Sequence, residues 1–377
     1  MKDFFITIIL TIVIILIIAG VGILGINIYK DFNIYEVGDT VQNFVSDITY
    51  IAEEPSSDNE IRSIESPLTN IKSVDSLEDK NITYSNNSNT KNNHFYNQLN
   101  EYSKTIYNGL QSNIENLKTG TYSIEFGNSF SKLLSQSNGQ QLLGEYYQSA
   151  IEAFMYDNPQ IFYINVNKMY LNIESKKYST KTTYNVYVSN GNETNYLADG
   201  FYSKEQIKEY EKQLQKIKTQ VISSLSGNDY DKIKKIHDYL VDNTSYDSTL
   251  SKSNIYNVYG ALINKECVCE GYSKAFKYLI DEAGIQNVII IGKGTNSEGK
   301  TENHSWNYVL LNNKWYAIDV TWDDPVIRGG GKLTNKSRYK YFLKGSNTIN
   351  KDHIPNGQFT TNGKVFAYPT LSVEDYE

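Results

Sequence analysis

The run from His304 to Trp322 constrains the fold more than any other part of the sequence. It reads HSWNYVLL, then Asn312-Asn313, then KWYAIDVTW, so two strand-like segments are separated by two residues that tolerate positive φ. This spacing predicts a β-hairpin with a type I′ turn. In that register position 306 faces 319 and position 304 faces 321. His304 and Asp319 would then lie diagonally on one face, about 7–8 Å apart at Cα, where long side chains can meet.

Both cysteines of the chain precede a predicted amphipathic helix, in the segment CVCEGYSKAFKYLIDEAGI at 267–285. Apolar residues recur there at helical spacing, and Gly284 is a plausible helix stop. Cys269 is therefore predicted at a helix N-terminus, where unpaired N–H groups and the helix dipole favour the nucleophilic thiolate. Glu270 in the first turn opposes this effect. The alternative is that Cys267 and Cys269 are both small buried hydrophobes.

Histidines that could serve such a thiol are few. His94 closes an Asn-rich polar run, His237 lies within a helical pattern, and His353 lies in a polar segment near the C-terminus. Only His304 opens a strand whose hairpin partner carries an aspartate. A cysteine at a helix start with a histidine and an aspartate on neighbouring strands is the arrangement of a nucleophile, its base and the group that orients the base.

The runs VCEGYSKAF, NHSWNYVLLNNKWYAIDVTWDDP and YKYFL together resemble the transglutaminase-like superfamily, over about residues 230–355. The resemblance implies a papain-like α+β fold with a Cys-His-Asp triad. By motif, Cys269 corresponds to the nucleophile, His304 to the histidine and Asp319 to the aspartate. Members usually carry a small residue two positions before the nucleophile, where this chain has Cys267. The N-terminal sequence further suggests a bacterial-type, membrane-anchored member.

Length and charge narrow the function classes. The 377 residues suggest two or three domains with at least one sizeable core. A formal net charge of -7 and the lack of a basic stripe argue against a nucleic-acid partner. We assign no function to the 32 tyrosines, because compositional bias is the simpler cause.

Phe4 to Ile26 is an uncharged run of 23 residues. As a helix it would be about 34 Å long, against a hydrocarbon core of about 30 Å. This length favours an uncleaved signal anchor over a cleaved signal peptide, whose apolar region is shorter. Lys2 precedes the run and Lys30 follows it, so the positive-inside rule weakly predicts a single-pass cell-membrane protein with an extracellular catalytic domain.

Four segments are predicted. They are a transmembrane anchor at 1–30, a juxtamembrane segment and polar linker at 31–93, a small α+β domain at 94–225 and the transglutaminase-like domain at 226–377. Residues 53–93 are dominated by polar residues and suggest a solvated tether, with only a weak helical face around Ile61 and Ile64. The α+β domain is predicted to contain amphipathic helices and three strands, IFYINV, KMYLNI and TTYNVYVS. Ser203 and Gln206 resemble a capping box at the start of a long helix.

In the last segment, helices are predicted from Asp229 to about Asn243 and from Asn254 to about Asn264. His237 is interpreted as a half-buried packing residue. VIIIG is predicted as a buried strand. The runs GKGTNSEGK and RGGGK lack the spacing of a phosphate loop and are interpreted as loops between strands. The C-x-C pair lacks the spacing of a zinc site, so we predict neither metal nor cofactor.

The sequence therefore predicts a thiol acyltransferase or hydrolase acting on a protein or peptide substrate. His304 would deprotonate Cys269, the thiolate would attack a carboxamide or peptide carbonyl, and an amine or water would resolve the thioester. Asp319 would orient His304. The Cys269 N–H is a natural oxyanion donor. The competing class is a non-catalytic envelope protein that retains the fold.

Cys267 leaves two interpretations open. A bridge between Cys267 and Cys269 would be strained, because alternate residues of an extended segment are about 6.5–7 Å apart at Cα. Such a bridge would act as a redox switch. The interpretation we favour is that Cys267 packs beneath the active-site loop.

Overall fold

The computed structural model describes residues 59–65, 93–324, 334–355 and 366–377. The predicted span Phe4–Ile26, the juxtamembrane segment, most of the polar linker and the RGGGK run lie outside these residues. Within the described part of the chain, no helix combines the length and the apolar character needed to cross a bilayer. The described residues within 59–176 and 182–377 form one compact unit.

The first helices form where apolar residues recur at helical spacing. A 3₁₀ turn at Tyr96–Gln98 leads into α1 (Glu101–Ser112) and α2 (Ile114–Leu117), and α3 (Ser131–Leu134) precedes α4 (Gly139–Asp157). Asn100 caps α1 by accepting a hydrogen bond from the Ser103 N–H. Most apolar side chains of this segment are buried, among them Leu99, Ile106, Leu110, Leu117, Leu143, Tyr147, Ile151 and Phe154.

A four-stranded antiparallel sheet accompanies these helices. Its order is β1 (Asn59–Glu65), β3 (Tyr170–Lys177), β4 (Thr182–Ser189) and β2 (Ile124–Gly127). Two of the three predicted strands therefore occur, whereas IFYINV forms only an isolated bridge and runs into a 3₁₀ turn at Val166–Lys168. Residues 59–65 were predicted to lie in a solvated tether. They form a strand because their backbone pairs with β3 along its length.

Two well-capped helices follow. Ser203 caps α5 (Lys204–Ser223) by accepting from the Gln206 N–H, as predicted, but the Gln206 side chain accepts from Tyr202 rather than from Ser203. Asn228 and Asp231 form a full capping box on α6 (Asp229–Asn243), whose bounds match the prediction. The helix predicted from Asn254 is shorter than expected, being a π-helical turn at Gly260–Asn264.

A second antiparallel sheet has the order β10 (His353–Pro355), β7 (Asn287–Thr295), β8 (Thr301–Leu311) and β9 (Lys314–Ile318). The predicted hairpin is confirmed. Asn307 pairs with Ile318, Leu311 pairs with Lys314, and both turn residues have positive φ, 51° at Asn312 and 61° at Asn313. The GKGTNSEGK run ends β7 and forms the loop to β8, so it connects two strands as interpreted.

The cysteine segment forms β6 and the helix after it. β6 (Glu266–Cys267) pairs in parallel with β5 (Ser245–Tyr246), and α7 (Cys269–Glu282) starts two residues later. The apolar face of α7 is buried and packs on β7 and β8, and Gly284 ends the helix with a φ of 76°. Three single-turn helices complete the described residues: α8 (Val320–Asp323), α9 (Asn335–Arg338) and α10 (Ser346–Ile349). The predicted α+β architecture, a cysteine helix on an antiparallel sheet, is therefore confirmed.

Candidate active site

Cys269 is the first residue of α7, and its side chain is half-buried. The residue before it, Val268, has extended backbone geometry and makes no side-chain cap, since an aliphatic group has no acceptor for the first amides of the helix. The N–H groups at the start of a helix have no partner within it. The amides around Cys269 are therefore available to stabilise a negative oxygen or the thiolate itself.

Glu270 was expected to oppose a thiolate, and its environment reduces that effect. The Lys274 ammonium lies 2.7 Å from the Glu270 carboxylate, one turn along α7. Lys274 is nearly buried, and it also lies 5.6 Å from the centre of the Tyr156 ring. The negative charge in the first turn is therefore paired with a cation.

Cys267 is fully buried beneath the first turn of α7. A Cβ on Gly271 would lie 2.5 Å from the Cys267 Cβ and 2.6 Å from the Ile255 carbonyl oxygen, so only glycine fits there. Burial, and the charges of Cys269 and Asp324, raise the pKa of the Cys267 thiol well above its usual value. Both cysteines are free thiols. This environment supports the packing interpretation of Cys267.

His304 lies on β8 with its ring buried. Its Nε2 is 2.7 Å from Asp319 Oδ2, and because an ionised carboxylate only accepts, Nε2 carries a proton. The remaining ring nitrogen, Nδ1, is left for the hydrogen bond with Cys269. Burial lowers the pKa of His304, but the charges and hydrogen bonds of Asp319 and Cys269 outweigh it and raise the pKa to about 10. The surroundings of His304 therefore favour its imidazolium form.

Asp319 was predicted on a strand, but β9 ends at Ile318 and Asp319 is the N-cap of α8. Its Oδ1 accepts a hydrogen bond from the Trp322 N–H at 3.2 Å. The side chain of an N-cap residue turns back toward the helix amides, which ends the strand at this point. Burial raises the pKa of Asp319, but the His304 charge and the hydrogen bonds from His304 and His353 hold it well below its usual range.

The indole ring of Trp322 covers one face of the His304 ring. The Trp322 ring stacks on it with a centroid distance of 4.9 Å and an interplanar angle of 28°. This stack depends on Gly294 in β7, because a Cβ there would lie 2.8 Å from Trp322 and 3.2 Å from the His304 ring. Trp322 therefore limits how far the imidazole can rotate.

Three polar side chains connect α7 to β8. The Ser305 hydroxyl donates to Ser273 Oγ at 2.9 Å, and the Asn307 amide donates to the Ser273 carbonyl at 3.1 Å. Ser273 in turn donates to the Cys269 carbonyl at 2.9 Å. All three bonds are buried or nearly so, where hydrogen bonds are strongest. They fix α7, which carries Cys269, against the strand that carries His304.

The sequence interpretation missed His353. This buried residue of β10 lies with Nε2 3.0 Å from Asp319 Oδ2 and with Nδ1 2.6 Å from Asp352 Oδ1. No periodicity or motif pointed to it, and the acidic residue directly before it was the one available signal. Its position depends on β10 pairing with β7, which places His353 opposite Gly294.

His237 was predicted to be a half-buried packing residue, and it is fully buried instead. Its Nε2 is 3.1 Å from Asp323 Oδ2 and its Nδ1 is 3.1 Å from Asp238 Oδ1. The partners compensate its charge, which explains how a polar ring is accommodated in the core. His94 is buried elsewhere, with Nε2 2.8 Å from the Ala367 carbonyl oxygen.

His304, Asp319 and His353 also form the one group, among the described residues, whose donor atoms are close enough to share a metal ion. Both imidazole Nε2 atoms are already at hydrogen-bond distance from the same carboxylate oxygen. The other nitrogen of His353 faces Asp352, and that of His304 serves Cys269. Hydrogen bonding accounts for this grouping without a metal.

Comparison with known proteins bears on this geometry. Residues 216–320, which include Cys269, His304 and Asp319, match the family model of the transglutaminase-like superfamily. This segment is transglutaminase-like. It contains α7, β7, β8, β9 and the first residue of α8, so its α+β architecture is the arrangement of helix and sheet described above.

Two curated relatives are similar to the chain over a short stretch. Kyphoscoliosis peptidase of Mus musculus is 28% identical over 99 residues and that of Homo sapiens 26% identical over 102 residues. The match covers 24% of this chain in each case, and the chain spans 15% of the length of these relatives. A solved structure described as a TGase is 19% identical, with a TM-score of 0.29 over 45% of this chain and 48% of its own.

Proposed function

We propose that this protein is a transglutaminase-like thiol acyltransferase or hydrolase that forms a thioester on Cys269. The single observation that carries the proposal is the 2.7 Å bond between His304 Nε2 and Asp319 Oδ2, with Cys269 near enough to His304 to help raise its pKa. A nucleophile paired with a base that a third group orients is the arrangement of covalent acyl-transfer catalysis. The match of residues 216–320 to a superfamily of this chemistry supports it.

In the acylation step the Cys269 thiolate attacks the carbonyl carbon of a glutamine carboxamide or a peptide bond. The developing oxyanion is stabilised by N–H groups at the start of α7, beginning with that of Cys269. The His304 imidazolium donates its Nδ1 proton to the departing nitrogen, so ammonia or an amine leaves and a thioester remains. Asp319 keeps the Nε2 proton in place and stabilises the imidazolium.

In the second step an incoming amine or water attacks the thioester. Neutral His304 accepts its proton, and the thiolate is released. An amine gives a transglutaminase and water gives an amidase or peptidase. The side chains of the site serve either acceptor, so both outcomes are proposed.

The test is to trap the thioester. The full chain in detergent is mixed with glutamine-containing peptides, quenched in acid and digested, and the mass of the peptide carrying Cys269 is measured. We expect an adduct equal to the acyl donor minus ammonia or the leaving amine, and none in Cys269→Ala. Rapid labelling of Cys269 by iodoacetamide at neutral pH, without any adduct from a broad peptide set, would favour a narrower substrate range. Slow labelling and no adduct would favour the non-catalytic interaction protein.

The proposal includes a location. The run Phe4–Ile26 would anchor the protein in the cell membrane, and the flanking Lys2 supports an extracellular catalytic part. We expect the protein to resist alkaline carbonate extraction, and a protease added to intact cells to release the catalytic part. Release only after the cells are lysed would reverse the orientation.

A further inference from the structure

His353 faces a carboxylate on each side of its ring. Its Nδ1 is 2.6 Å from Asp352 Oδ1 and its Nε2 is 3.0 Å from Asp319 Oδ2. An ionised carboxylate can only accept hydrogen bonds, so each ring nitrogen must carry a proton to make its bond. A neutral imidazole has a single N–H, which satisfies one of the two. The geometry therefore requires a buried imidazolium.

The two carboxylates are themselves held in the ionised form. Burial raises the pKa of Asp352, but hydrogen bonds from His353 and Tyr341 outweigh it and leave the pKa below its usual value. The Tyr341 hydroxyl donates to Asp352 Oδ2 at 2.8 Å, and the Lys340 ammonium contributes a nearby positive charge. Burial also raises the pKa of Asp319, but the His304 charge and the hydrogen bonds from His304 and His353 hold it below its usual range. Both partners of His353 are therefore acceptors at neutral pH.

Asp319 Oδ2 thus receives two hydrogen bonds, from His304 at 2.7 Å and from His353 at 3.0 Å. Charges therefore alternate from His304 through Asp319 and His353 to Asp352. The two imidazole rings are 5.4 Å apart, so each disfavours protonation of the other. The charge of His353 therefore reduces the extent to which Asp319 raises the basicity of His304.

We infer that His353 is a positioning residue for acyl transfer, which fixes the Asp319 carboxylate against His304 as a buried imidazolium and offsets part of its negative charge. The inference rests on the proposed function, because it assigns a role within the same site. His353 touches neither the thiol nor the substrate, and it acts through Asp319. The assignment makes the site a series of four side chains rather than three.

A matched control exists in the same molecule. His237 also lies between two carboxylates, at 3.1 Å from Asp323 and 3.1 Å from Asp238, and is equally buried. It makes no hydrogen bond with Asp319 or His304 among those described. Replacing His237 removes a buried cation of the same kind without touching the carboxylate that orients His304.

The first experiment measures protonation directly. The chain has four histidines, so selective ¹⁵N-histidine labelling of the full chain gives four imidazole signals, which single substitutions assign. We expect both ring nitrogens of His353 to carry protons at about pH 8, where an ordinary histidine has lost its second proton. Asp352→Asn should make His353 lose that proton at lower pH. A His353 that titrates near its ordinary value of about 6.5 in the wild type would overturn the inference.

The second experiment separates positioning from mere packing. His353→Gln keeps one donor for Asp319 but removes the cation, so His304 should lose its ring proton at a pH about one unit higher. The acylation rate at neutral pH should fall about tenfold at unchanged KM, because Asp319 is less well fixed. His237→Gln should change neither. If His353→Gln lowers only the melting temperature, His353 is a packing residue and the inference is wrong.

If His353→Gln does not fold, Asp352→Asn and the wild-type titration still decide the matter. The titrations also need no substrate. A protein that forms no acyl-enzyme but has a doubly protonated His353 would contradict the proposed function alone. A protein that acylates normally while His304 titrates identically in wild type and His353→Gln would contradict the positioning role alone.

Discussion

The single-turn helix α8 has a buried aspartate at each end, and the two differ in what they hold. Asp319 at its start accepts from His304 and His353. Asp323 at its end accepts from His237 and, at 2.7 Å, from the Tyr341 N–H. Both are fully buried carboxylates beside histidines. Judged by burial and hydrogen bonding alone, either could be called an active site.

Two clusters result, His304 with Asp319 and His237 with Asp323. They differ in the group that the other side of the histidine ring contacts. His304 continues to Cys269, a half-buried thiol at a helix N-terminus. His237 continues to Asp238, which is bound by Lys234, Tyr339 and Arg338, so the second cluster ends in charge compensation. A buried histidine–carboxylate pair therefore indicates a catalytic site only where it reaches a nucleophile that a substrate can approach.

The largest expected effect is at the nucleophile and its base. Cys269→Ala and His304→Ala should each lower the acylation rate by about 10⁴-fold or more, because the members of a triad act as a unit. The Cys269→Ala protein should keep its melting temperature, since a half-buried thiol contributes little packing. Single-turnover acylation and thermal unfolding of the full chain measure the two quantities. Full turnover in Cys269→Ala would remove the difference between the two clusters.

The next largest effect on the acylation rate is expected at Asp319, compared with Asp323. Asp319→Asn should lower the acylation rate by about 10²-fold, less than loss of the nucleophile, because an amide still contacts His304 but no longer stabilises its charge. Asp323→Asn should stay within about twofold of wild type, because Asp323 holds only His237 and backbone. Equal losses in the two variants would mean that α8 acts as a whole and that its two ends are not distinct.

The two aspartates should also influence stability in opposite directions with pH. The pKa of Asp319 is depressed, so its contribution is present above the unfolded value of about 3.9 and is lost as pH falls. Burial raises the pKa of Asp323 to about 6, against the opposing effect of His237. Its contribution is therefore present below about pH 3.9 and is lost as pH rises through about 6.

Denaturant unfolding measured across pH tests this contrast. Asp323→Asn should flatten the decline in unfolding free energy between about pH 4 and pH 6, and Asp319→Asn should weaken the loss at lower pH. Burial lowers the pKa of His237, but its hydrogen bonds with Asp238 and Asp323 outweigh burial and raise it. His237 therefore adds a separate decline in unfolding free energy above about pH 6.5. Identical pH profiles in the two variants would contradict the contrast.

The sequence predicted one cluster and not the other for a physical reason. The hairpin could be predicted because Asn312-Asn313 determines the turn and the turn determines the register, which brings His304 to Asp319. The helix at Cys269 could be predicted because its apolar face has helical period. Both signals are local, extending over fewer than about 20 residues.

The remaining features depend on contacts between distant segments. His353 reaches Asp319 only because β10 pairs with β7, and His237 reaches Asp323 across 86 residues of sequence. The strand at 59–65 likewise forms by pairing with β3 about 110 positions later, although its composition is that of a polar linker. Neither residue periodicity nor composition carries information about such pairings, so buried polar clusters of this kind are not predicted from one sequence.

Gly294 offers a smaller test of what surrounds Cys269, His304 and Asp319. Gly294→Ala should displace Trp322 from the His304 ring and lower the acylation rate by about tenfold, since the imidazole gains freedom to rotate. The new Cβ would meet the Cζ2 and Cη2 atoms of the indole, which phenylalanine lacks. Trp322→Phe in the same chain should therefore recover part of the rate. A double variant no faster than Gly294→Ala would show that the strand, not the stack, is damaged.

The smallest expected effect concerns Cys267. Its thiol is fully buried against Gly271, and its pKa is raised, so the thiolate needed for disulfide exchange is scarce. We therefore expect dilute peroxide to inactivate wild type and Cys267→Ala at equal rates, with sulfenic acid forming at Cys269. Mass spectrometry of the two peptides and the residual acylation rate measure both quantities. A wild type that forms an internal disulfide, regains full activity with a dithiol and loses this reversibility in Cys267→Ala would establish the redox switch, and would give the catalytic cluster a regulatory thiol that the His237 cluster lacks.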